Sequence, residues 1–310
     1  MAMKIKGEWM ELPVKEDWKG IPLQQLLKDK LNAPKALIHK WRMDNDVKVN
    51  DEKPNWTAPL TEGDLLIIRL FQDEDFDLIP EYMELDLLFE DEHLIIVNKP
   101  AGMDTHPNEP GQTGTLANAV AFHFQMQGLS RKVRHIHRLD HDTSGAIIFA
   151  KHALSHAILD RYLEARKIKR TYTAIVQGKL KQKKGKIEHP IGKDRHHPTR
   201  RRVSPNGQTA LTRFKTEDTN MVFDVTLIKL QLDTGRTHQI RVHLSHIGYP
   251  IVGDELYGGN TKLLKRQALH ASEITVLHPF SNENITVFAP FPEDMKKLME
   301  MYEFSTLIRH

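Results

Sequence analysis

The sequence predicts an α+β fold with a largely antiparallel sheet. From Leu87 onward, short apolar runs of strand-like composition follow one another and are joined by turn-rich segments. Two stretches of helical periodicity, residues 154–167 and 237–248, interrupt these runs. Strands in series with helices inserted, rather than a regular strand–helix alternation, are typical of α+β domains.

The N-terminal part predicts two short helices followed by strands. Residues 21–42 carry leucines and isoleucines at helical spacing, and an Asn-Ala-Pro tripeptide at 32–34 interrupts the pattern. Residues 46–51 and 63–70 follow with strand-like composition. The composition then divides the chain into a predicted N-terminal domain (1–72), an acidic linker (73–86), a larger second domain (87–300) and a C-terminal tail (301–310).

The larger domain is predicted to consist mainly of strands. They are expected at residues 87–90, 94–100, 146–151, 171–178, 209–214, 222–232, 273–279 and 284–290. The second predicted helix has Ile240, Leu244 and Ile247 on one face, and Thr237 can cap its start.

Composition excludes several classes of protein. The chain has 310 residues, of which 39% are hydrophobic and 27% charged, as in ordinary globular proteins. No run of 18 apolar residues is present, and the first residues lack the apolar core of a signal peptide. Cysteine is absent, which excludes disulfides and thiolate chemistry and fits a reducing cytoplasm.

Charge is segregated along the chain, although the net charge is only +3. Ten acids and no Lys or Arg lie between Gln72 and His93. Fourteen Lys or Arg and two acids lie between Ala165 and Arg202, ending in the dense HHPTRRR stretch at 196–202. Like charges packed this closely indicate an anionic partner, and nucleic acid is the natural candidate. We expect this stretch to be an exposed loop.

The densest polar cluster is RHIHRLDHDTSG, residues 134–145, which directly precedes an apolar run. Polar groups beside a core are costly unless they are paired or used. Asp140 lies at the predicted mouth of the strand, and a carboxylate held by an arginine stays ionised and can act as a nucleophile. Arg138, or Arg236 brought in by folding, could be that arginine.

Other enzyme classes fit these residues less well. His135 and His137 could ligate zinc from one strand face, but no further ligand has a recognisable spacing. The Asp-Thr-Ser-Gly and Asp-Thr-Gly turns at 142–145 and 233–235 look like aspartic protease turns, yet Arg236 follows the second. The Gly-x-Ser-x-Gly motif of serine hydrolases is missing, and a glycosidase normally needs a second carboxylate.

Four segments carry a resemblance to the RluA-type RNA pseudouridine synthases. They are DEHLIIVNKPAGMDTHP (91–107), HRLDHDTSG (137–145), KRTYTAIVQG (169–178) and LDTGRTHQIRVHLSHIGYPIVGDELYG (232–258). Residues 36–70 are similar to the small RNA-binding domain of the ribosomal-protein-S-four type. The resemblance implies an N-terminal helix–helix–strand RNA-binding domain. It also implies a catalytic domain with a largely antiparallel mixed sheet, flanking helices and a central cleft.

The resemblance also implies a reaction and a set of site residues. The reaction is isomerisation of uridine to pseudouridine in RNA, without a metal or another cofactor. Asp140 would be the nucleophile, at the anomeric carbon or on the base, and Tyr172 would lie against the uracil and assist removal of the carbon-five proton. Arg236 would pair with Asp140 and help hold the extruded nucleotide. Further substrate contacts are expected from Lys99, Arg138, Thr143, His238, Gln239, Arg241, Arg200, Arg201 and Arg202. Of these, Lys99 and Arg138 would be phosphate or structural contacts, and Thr143, with Ser144 and Gly145, would form the turn that aims Asp140.

The expected partner is large-subunit ribosomal RNA, because an S-four-type domain on such a synthase suggests it. Transfer RNA is the alternative substrate. Two other function classes are a non-catalytic RNA-binding protein and a metal-dependent nuclease, and the nuclease would be sensitive to chelators. We expect a cytoplasmic monomer with no membrane or metal partner.

Overall fold

The computed structural model describes residues 3–304 of the chain. It contains a four-stranded sheet near the N-terminus, a ten-stranded sheet and a two-stranded hairpin. The α+β class with a large mixed sheet is therefore confirmed.

The N-terminal sheet is antiparallel and has the strand order β1-β2-β4-β3. Its elements are β1 (Lys4–Lys6), β2 (Trp9–Pro13), α1 (Leu23–Gln25) continued by a π-helical turn (Leu26–Lys30), α2 (Lys35–Asp44), β3 (Val47–Val49) and β4 (Leu65–Arg69). The helices and the two strands after them lie where the sequence predicts them. The β1–β2 hairpin was not predicted, although Met10 and Leu12 of β2 alternate with more exposed residues.

The large sheet is built from most of the remaining strands. They are β5 (Asp86–Glu90), β6 (Leu94–Lys99), β7 (Arg134–His135), β8 (Ser144–Ala150), β9 (Lys169–Gln177), β10 (Lys184–Glu188), β13 (Leu211–Asn220), β14 (Val225–Leu232), β15 (Leu269–Leu277) and β16 (Asn284–Phe288). The order is β10-β13-β14-β9-β15-β8-β6-β5, with β16 paired to β15 and β7 paired to β8. The remaining strands, β11 (Ile191–Lys193) and β12 (Arg201–Val203), form the hairpin.

One pair of neighbouring strands in the middle of this otherwise antiparallel sheet is parallel. Strands β8 and β15 pair in parallel, with His270 opposite Ser144 and Ala271 opposite Gly145. Gly145 has φ +119°, and a Cβ there would lie 2.3 Å from the Ala271 carbonyl oxygen. Only glycine fits this close approach. The glycine therefore allows the strand that follows Asp140 to enter the centre of the sheet.

Four further helices flank the sheet: α3 (Leu116–Met126), α4 (Ala153–Glu164), α5 (Gln239–His246) and α6 (Glu293–Met301). Helices α4 and α5 were predicted, whereas α3 and α6 were not. The sequence gives α3 no amphipathic pattern because the helix is buried along most of its length. The predicted cap of α5 is wrong, since the N-cap position is His238, with φ 57° and no side-chain cap, rather than Thr237.

The N-terminal part packs on helix α4 of the larger part. Leu154 and Ile158 of α4 belong to the same buried cluster as Leu26 and Trp41. The acidic segment before β5 has no regular secondary structure, but it is tied to the body of the protein. Glu74 forms an ion pair with Arg134 at 2.6 Å, and the Glu81 carboxylate accepts a hydrogen bond from the Gly114 amide at 2.5 Å.

The basic stretch and the C-terminus differ from the sequence expectations. Residues 201–203 are paired with β11 in a hairpin, so only part of the HHPTRRR stretch is a loop. Tyr302 and Phe304 are buried in the main core instead of starting a free tail. Residues 305–310 of the predicted tail lie outside the described residues.

Candidate active site

A cleft of about 900 Å³ opens beside the strand that follows Asp140. Its walls come from the segment before β8, the first turn of α5, strand β9 and the loop between β14 and α5. Asp140, Tyr172 and Arg241 all line it. The polar cluster recognised in the sequence and the Arg-rich segment around α5 therefore meet in one place.

Backbone contacts fix the position of Asp140. The Thr143 amide donates to the Asp140 carbonyl oxygen at 3.0 Å, which forms the turn leading into β8. Leu139, the preceding residue, is buried, and its amide and carbonyl both hydrogen-bond the Thr105 hydroxyl at 3.2 Å. The Asp140 side chain remains 26% exposed, so its carboxylate faces the cleft.

Arg241, rather than Arg236, is the partner of Asp140. Arg241 Nη1 donates to Asp140 Oδ2 at 3.1 Å. The other edge of the same guanidinium binds Asp254 in two-point contact, with Nε and Nη2 each 2.8 Å from a carboxylate oxygen. Asp254 is buried, so Arg241 is held between two carboxylates.

This arrangement keeps Arg241 charged and in place. Burial would lower the pKa of Arg241, but its hydrogen bonds to Asp254 and the negative charge of Asp140 raise it. The ring of Tyr257 lies 5.0 Å from the Arg241 guanidinium carbon and packs on it. Asp140 therefore faces a guanidinium whose position is set before any substrate binds.

Arg236 was predicted as the partner of Asp140, and the structure contradicts that pairing. Arg236 lies in the loop before α5, where its Nε donates to the Thr209 carbonyl oxygen at 3.1 Å. Its backbone amide donates to the Gln239 side chain at 3.0 Å. Because α5 begins at Gln239, Arg241 lies in the first turn that faces Asp140, whereas Arg236 precedes the helix.

His238 is the second group near Asp140. Its Nε2 lies 4.0 Å from Asp140 Oδ2, and its Nδ1 hydrogen-bonds the Tyr257 hydroxyl at 2.9 Å. Burial lowers the pKa of His238, and the charge of Asp140 offsets this only in part. His238, which is expected to contact the substrate, also lines the cleft.

Tyr172 lies in β9, between β14 and β15, and lines the cleft with Asp140. It is buried, and burial raises the pKa of its phenol. The hydroxyl therefore stays protonated at neutral pH. Arg138, which was predicted as a substrate contact, also lines the cleft and is exposed.

Three residues named as substrate contacts are braces that form internal hydrogen bonds in the structure, and for Lys99 this is the structural alternative. Lys99 is 0% exposed, and its ammonium group donates to the carbonyls of Pro100, Met103 and His141 at 2.7–2.9 Å. Burial lowers the pKa of Lys99 to about 8. Lys99 therefore holds the loop that contains His141, the residue after Asp140. Its side chain is fully buried and is not accessible to a substrate.

Thr143 and Gln239 are the other two braces. Thr143 is buried, and its hydroxyl accepts a hydrogen bond from Gln267 at 3.0 Å. The Gln239 amide is fully used, since it accepts from Thr234 and donates to Thr212 and to a backbone carbonyl. Both side chains reach the cleft wall, yet their polar atoms are already engaged.

Arg200, Arg201 and Arg202 belong to the basic hairpin, which is the β11–β12 pair with its connecting loop. Arg200 and Arg201 lie next to Tyr257 rather than in the cleft. The Arg201 amide donates to the Tyr257 hydroxyl at 2.9 Å, and the Arg200 guanidinium lies 5.9 Å from the Tyr257 ring. Arg202 is exposed. Tyr257 also contacts His238, so its ring links the hairpin to the site.

Sequence reasoning missed Asp254, Tyr257 and Thr105. Asp254 follows Gly253, which has φ +82° and whose Cβ would lie 1.9 Å from the Arg266 carbonyl oxygen. An acid beside a glycine at the end of the apolar run PIVGD is the one available signal. It does not identify Arg241 as the partner.

The described part of the chain has neither a cluster of metal-ligating side chains nor a membrane-spanning helix. Within residues 3–304, no group of three or more His, Cys, Asp or Glu side chains is placed to hold a metal ion. None of the helices found there is long and apolar enough to cross a membrane.

The chain is similar to known proteins along nearly its whole length. Residues 93–246 match the family described as RNA pseudouridylate synthase, and residues 10–66 match the RluD ribosomal pseudouridine synthase N-terminal domain. The uncharacterized RNA pseudouridine synthase YhcT of Bacillus subtilis (strain 168) is 55% identical over 300 residues, which cover 97% of this chain and 99% of that protein. Ribosomal large subunit pseudouridine synthase D of Nitrosomonas europaea is 35% identical, with coverages of 94% and 87%.

Solved structures share the fold of the larger part. Human RNA Pseudouridylate Synthase Domain Containing 1 has a TM-score of 0.56 at 24% identity, and the match covers 72% of this chain and 96% of that one. Human RNA Pseudouridylate Synthase Domain Containing 4 also has a TM-score of 0.56, at 21% identity, with coverages of 70% and 93%. At these identities the likeness concerns the fold.

Proposed function

The chain belongs to the RluA-type RNA pseudouridine synthase family, and from that premise we propose that it modifies uridines in large-subunit ribosomal RNA. Its activity is the isomerisation of uridine to pseudouridine in RNA. Relatives named ribosomal large subunit pseudouridine synthase D, which are 33–35% identical over most of the chain, support the ribosomal target. The proposed place of action is the cytoplasm, and the proposed state is a monomer.

The observation that carries the proposed site is the series Asp140–Arg241–Asp254. Asp140 Oδ2 is occupied by Arg241, whereas Oδ1 accepts no hydrogen bond from residues 3–304. One oxygen thus holds the carboxylate in position, and the other faces the cleft. Groups preorganised in this way need no rearrangement at the moment of reaction.

In the proposed reaction Asp140 is the nucleophile. The isomerisation breaks the bond between ribose C1′ and uracil N1 and forms a bond between C1′ and C5. N1 gains a proton and C5 loses one, so the atoms balance without any oxidant or reductant. Asp140 would form a transient bond, either at C1′ or on the base, and would be released when the carbon–carbon bond is complete.

Tyr172 is the proposed contact for the uracil. Its ring lines the cleft beside Asp140, and its protonated hydroxyl can accept a hydrogen bond from, or donate one to, the detached base. A uridine must leave its stack to enter such a cleft, which costs a few kcal/mol. Arg138, which is exposed at the rim, is placed to contact the RNA that remains outside.

Pseudouridine mapping tests the proposed target. Total RNA from cells with and without the gene would be compared position by position. We expect at least one position of large-subunit ribosomal RNA to lose its pseudouridine in the deletion and to regain it with the wild-type gene. A loss confined to transfer RNA would replace ribosomal RNA by the alternative substrate.

Assays on the purified protein distinguish a pseudouridine synthase from the other two function classes. Wild-type protein treated with EDTA should modify RNA from the deletion strain at the rate of untreated protein. RNA cleavage that requires added zinc or magnesium would favour a nuclease. RNA binding without any modification would favour a non-catalytic RNA-binding protein.

A further inference from the structure

The cleft contains a second charged region, which includes Arg170 of strand β9. Arg170 precedes Tyr172 by two residues, so the two side chains point to the same face of the strand. Both line the cleft. The Arg170 guanidinium also lies against the loop between β14 and α5, because a Cβ at Gly235 would be 3.4 Å from Arg170 Nη1.

Arg170 is buried without a partner. The residue is 8% exposed, and its Nε is a buried donor without a hydrogen-bond acceptor. Within residues 3–304, no carboxylate forms an ion pair with its guanidinium, and the nearby Asp233 is bound by Arg213 and Arg166. An unpaired buried charge is costly to maintain, so a partner of opposite charge is expected from outside the chain.

His137 provides a second unused donor in the same wall of the cleft. The Ile148 amide donates to His137 Nε2 at 3.4 Å, so in the neutral ring the proton is on Nδ1. His137 Nδ1 is buried and has no partner. Burial, together with the positive charge of Arg170, lowers the pKa of His137 well below its ordinary value, which keeps the ring neutral.

We propose that Arg170 and His137 form a phosphate subsite that binds a backbone phosphate of the RNA next to the target uridine. The planar guanidinium has all its donors free for two-point contact with phosphate oxygens, and the His137 N–H adds a third donor. Because Asp140 is paired with Arg241 and not with Arg170 or His137, the bound phosphate positions the nucleotide rather than reacting. This subsite rests on the proposed Asp140-centred site.

Binding of inorganic phosphate tests the subsite without reference to any particular RNA. Thermal unfolding would be followed during phosphate titration at constant ionic strength. Wild type should show saturable stabilisation, and Arg170→Met should raise the apparent Kd at least about tenfold, as expected for loss of a charge-assisted contact. The matched control is Lys229→Met, because Lys229 is exposed opposite Thr173 and therefore on the other face of the sheet. This control should bind phosphate like wild type.

Stability separates a binding role from a structural one. Without phosphate, Arg170→Met should unfold at the wild-type temperature or above it, because the substitution removes an unpaired buried charge. A lower unfolding temperature together with an unchanged phosphate response would show that Arg170 is structural. Should Arg170→Met fail to fold, Arg170→Lys keeps the charge but lacks the fork. This second variant should then bind phosphate more weakly than wild type, and an unchanged Kd would overturn the proposal.

Two further readouts complete the test. Uridine, which has no phosphate, should bind wild type and Arg170→Met with the same affinity. If Arg170→Met lost as much affinity for uridine as for phosphate, Arg170 would bind the base instead. The slope of log affinity for RNA against log salt should flatten by about 0.7 in Arg170→Met, as for one phosphate contact on single-stranded RNA. No phosphate response in the wild type would overturn the subsite, whereas phosphate binding without RNA modification would instead contradict the proposed function.

Discussion

Two parts of the cleft wall, called here the paired end and the unpaired end, differ in how their charged groups are satisfied. At one end, Arg241 is bound by Asp254 and in turn holds Asp140. At the other end, Arg170 and His137 Nδ1 have no partner within residues 3–304. The comparison indicates a division of work. The paired end fixes a reactive group before the substrate arrives, and the unpaired end leaves donors free for the substrate itself.

This difference predicts different responses to mutation. At the paired end, each charged group stabilises another, so removal of one partner should reduce both stability and catalysis. At the unpaired end, removal of a charge should weaken binding while leaving stability intact.

The largest effect is expected from Asp140→Asn. Asparagine keeps the shape and hydrogen-bonding capacity of the side chain but removes the nucleophile. Pseudouridine formation should fall below detection, while RNA affinity stays within about threefold, since the phosphate contacts lie elsewhere. Pseudouridine would be measured in RNA from the deletion strain. Measurable turnover by a preparation free of wild-type protein would refute the assignment of Asp140.

Asp254→Asn is expected to lower both stability and turnover, with a smaller loss of turnover than in Asp140→Asn. Arg241 would lose its buried counter-charge, so the free energy of unfolding should fall by on the order of 3 kcal/mol. Turnover should drop at least about tenfold, because Arg241 is no longer fixed against Asp140. Denaturant unfolding and single-turnover kinetics measure the two effects.

The matched control for Asp254→Asn is Arg213→Gln. This change also breaks a two-point arginine–carboxylate pair, but one whose arginine is exposed. Stability should change far less in the control. Equal loss of stability in both variants would show that burial of the Arg241 pair has no special importance.

The smallest effect is expected from the basic hairpin. Replacement of Arg200, Arg201 and Arg202 by glutamine should flatten the salt dependence of RNA affinity by about two, at roughly 0.7 per phosphate contact. The kinetic effect should lie in KM, because these residues border the cleft through Tyr257 and do not reach Asp140. Wild-type affinity and slope in the triple variant would identify the hairpin as a solvated surface.

Much of the fold could be predicted because local patterns determine it. The apolar runs before and after Asp140 became β6 and β8, and the turn residues around Gly145 explain why the chain enters the sheet there. Helix α3 could not be predicted from periodicity because it is apolar on nearly all sides. Its capping box, in which Thr115 and Asn118 hydrogen-bond each other, was the available signal.

The site was only partly predictable for a related reason. The start of α5 does not decide between Arg236 and Arg241, because Arg236 precedes the helix whether it begins at Thr237 or at Gln239. The choice depends on contacts between distant parts of the chain. Asp254, which selects Arg241, comes from a turn after the helix. Lys99 and Gln239 resemble ligands in the sequence because buried braces use the same polar residue types as substrate contacts.

A side-by-side comparison of Arg241→Lys and Arg236→Lys tests whether Arg241 is the arginine that holds Asp140 for catalysis. Single-turnover rates would be measured on ribosomal RNA from the deletion strain. Lysine keeps the charge but cannot bridge Asp254 and Asp140 with two edges of one planar group. We predict a rate at least about tenfold lower for Arg241→Lys, or about 1.4 kcal/mol of transition-state stabilisation, and a rate within about threefold of wild type for Arg236→Lys. A near-normal rate in Arg241→Lys, together with a large loss in Arg236→Lys, would contradict the account.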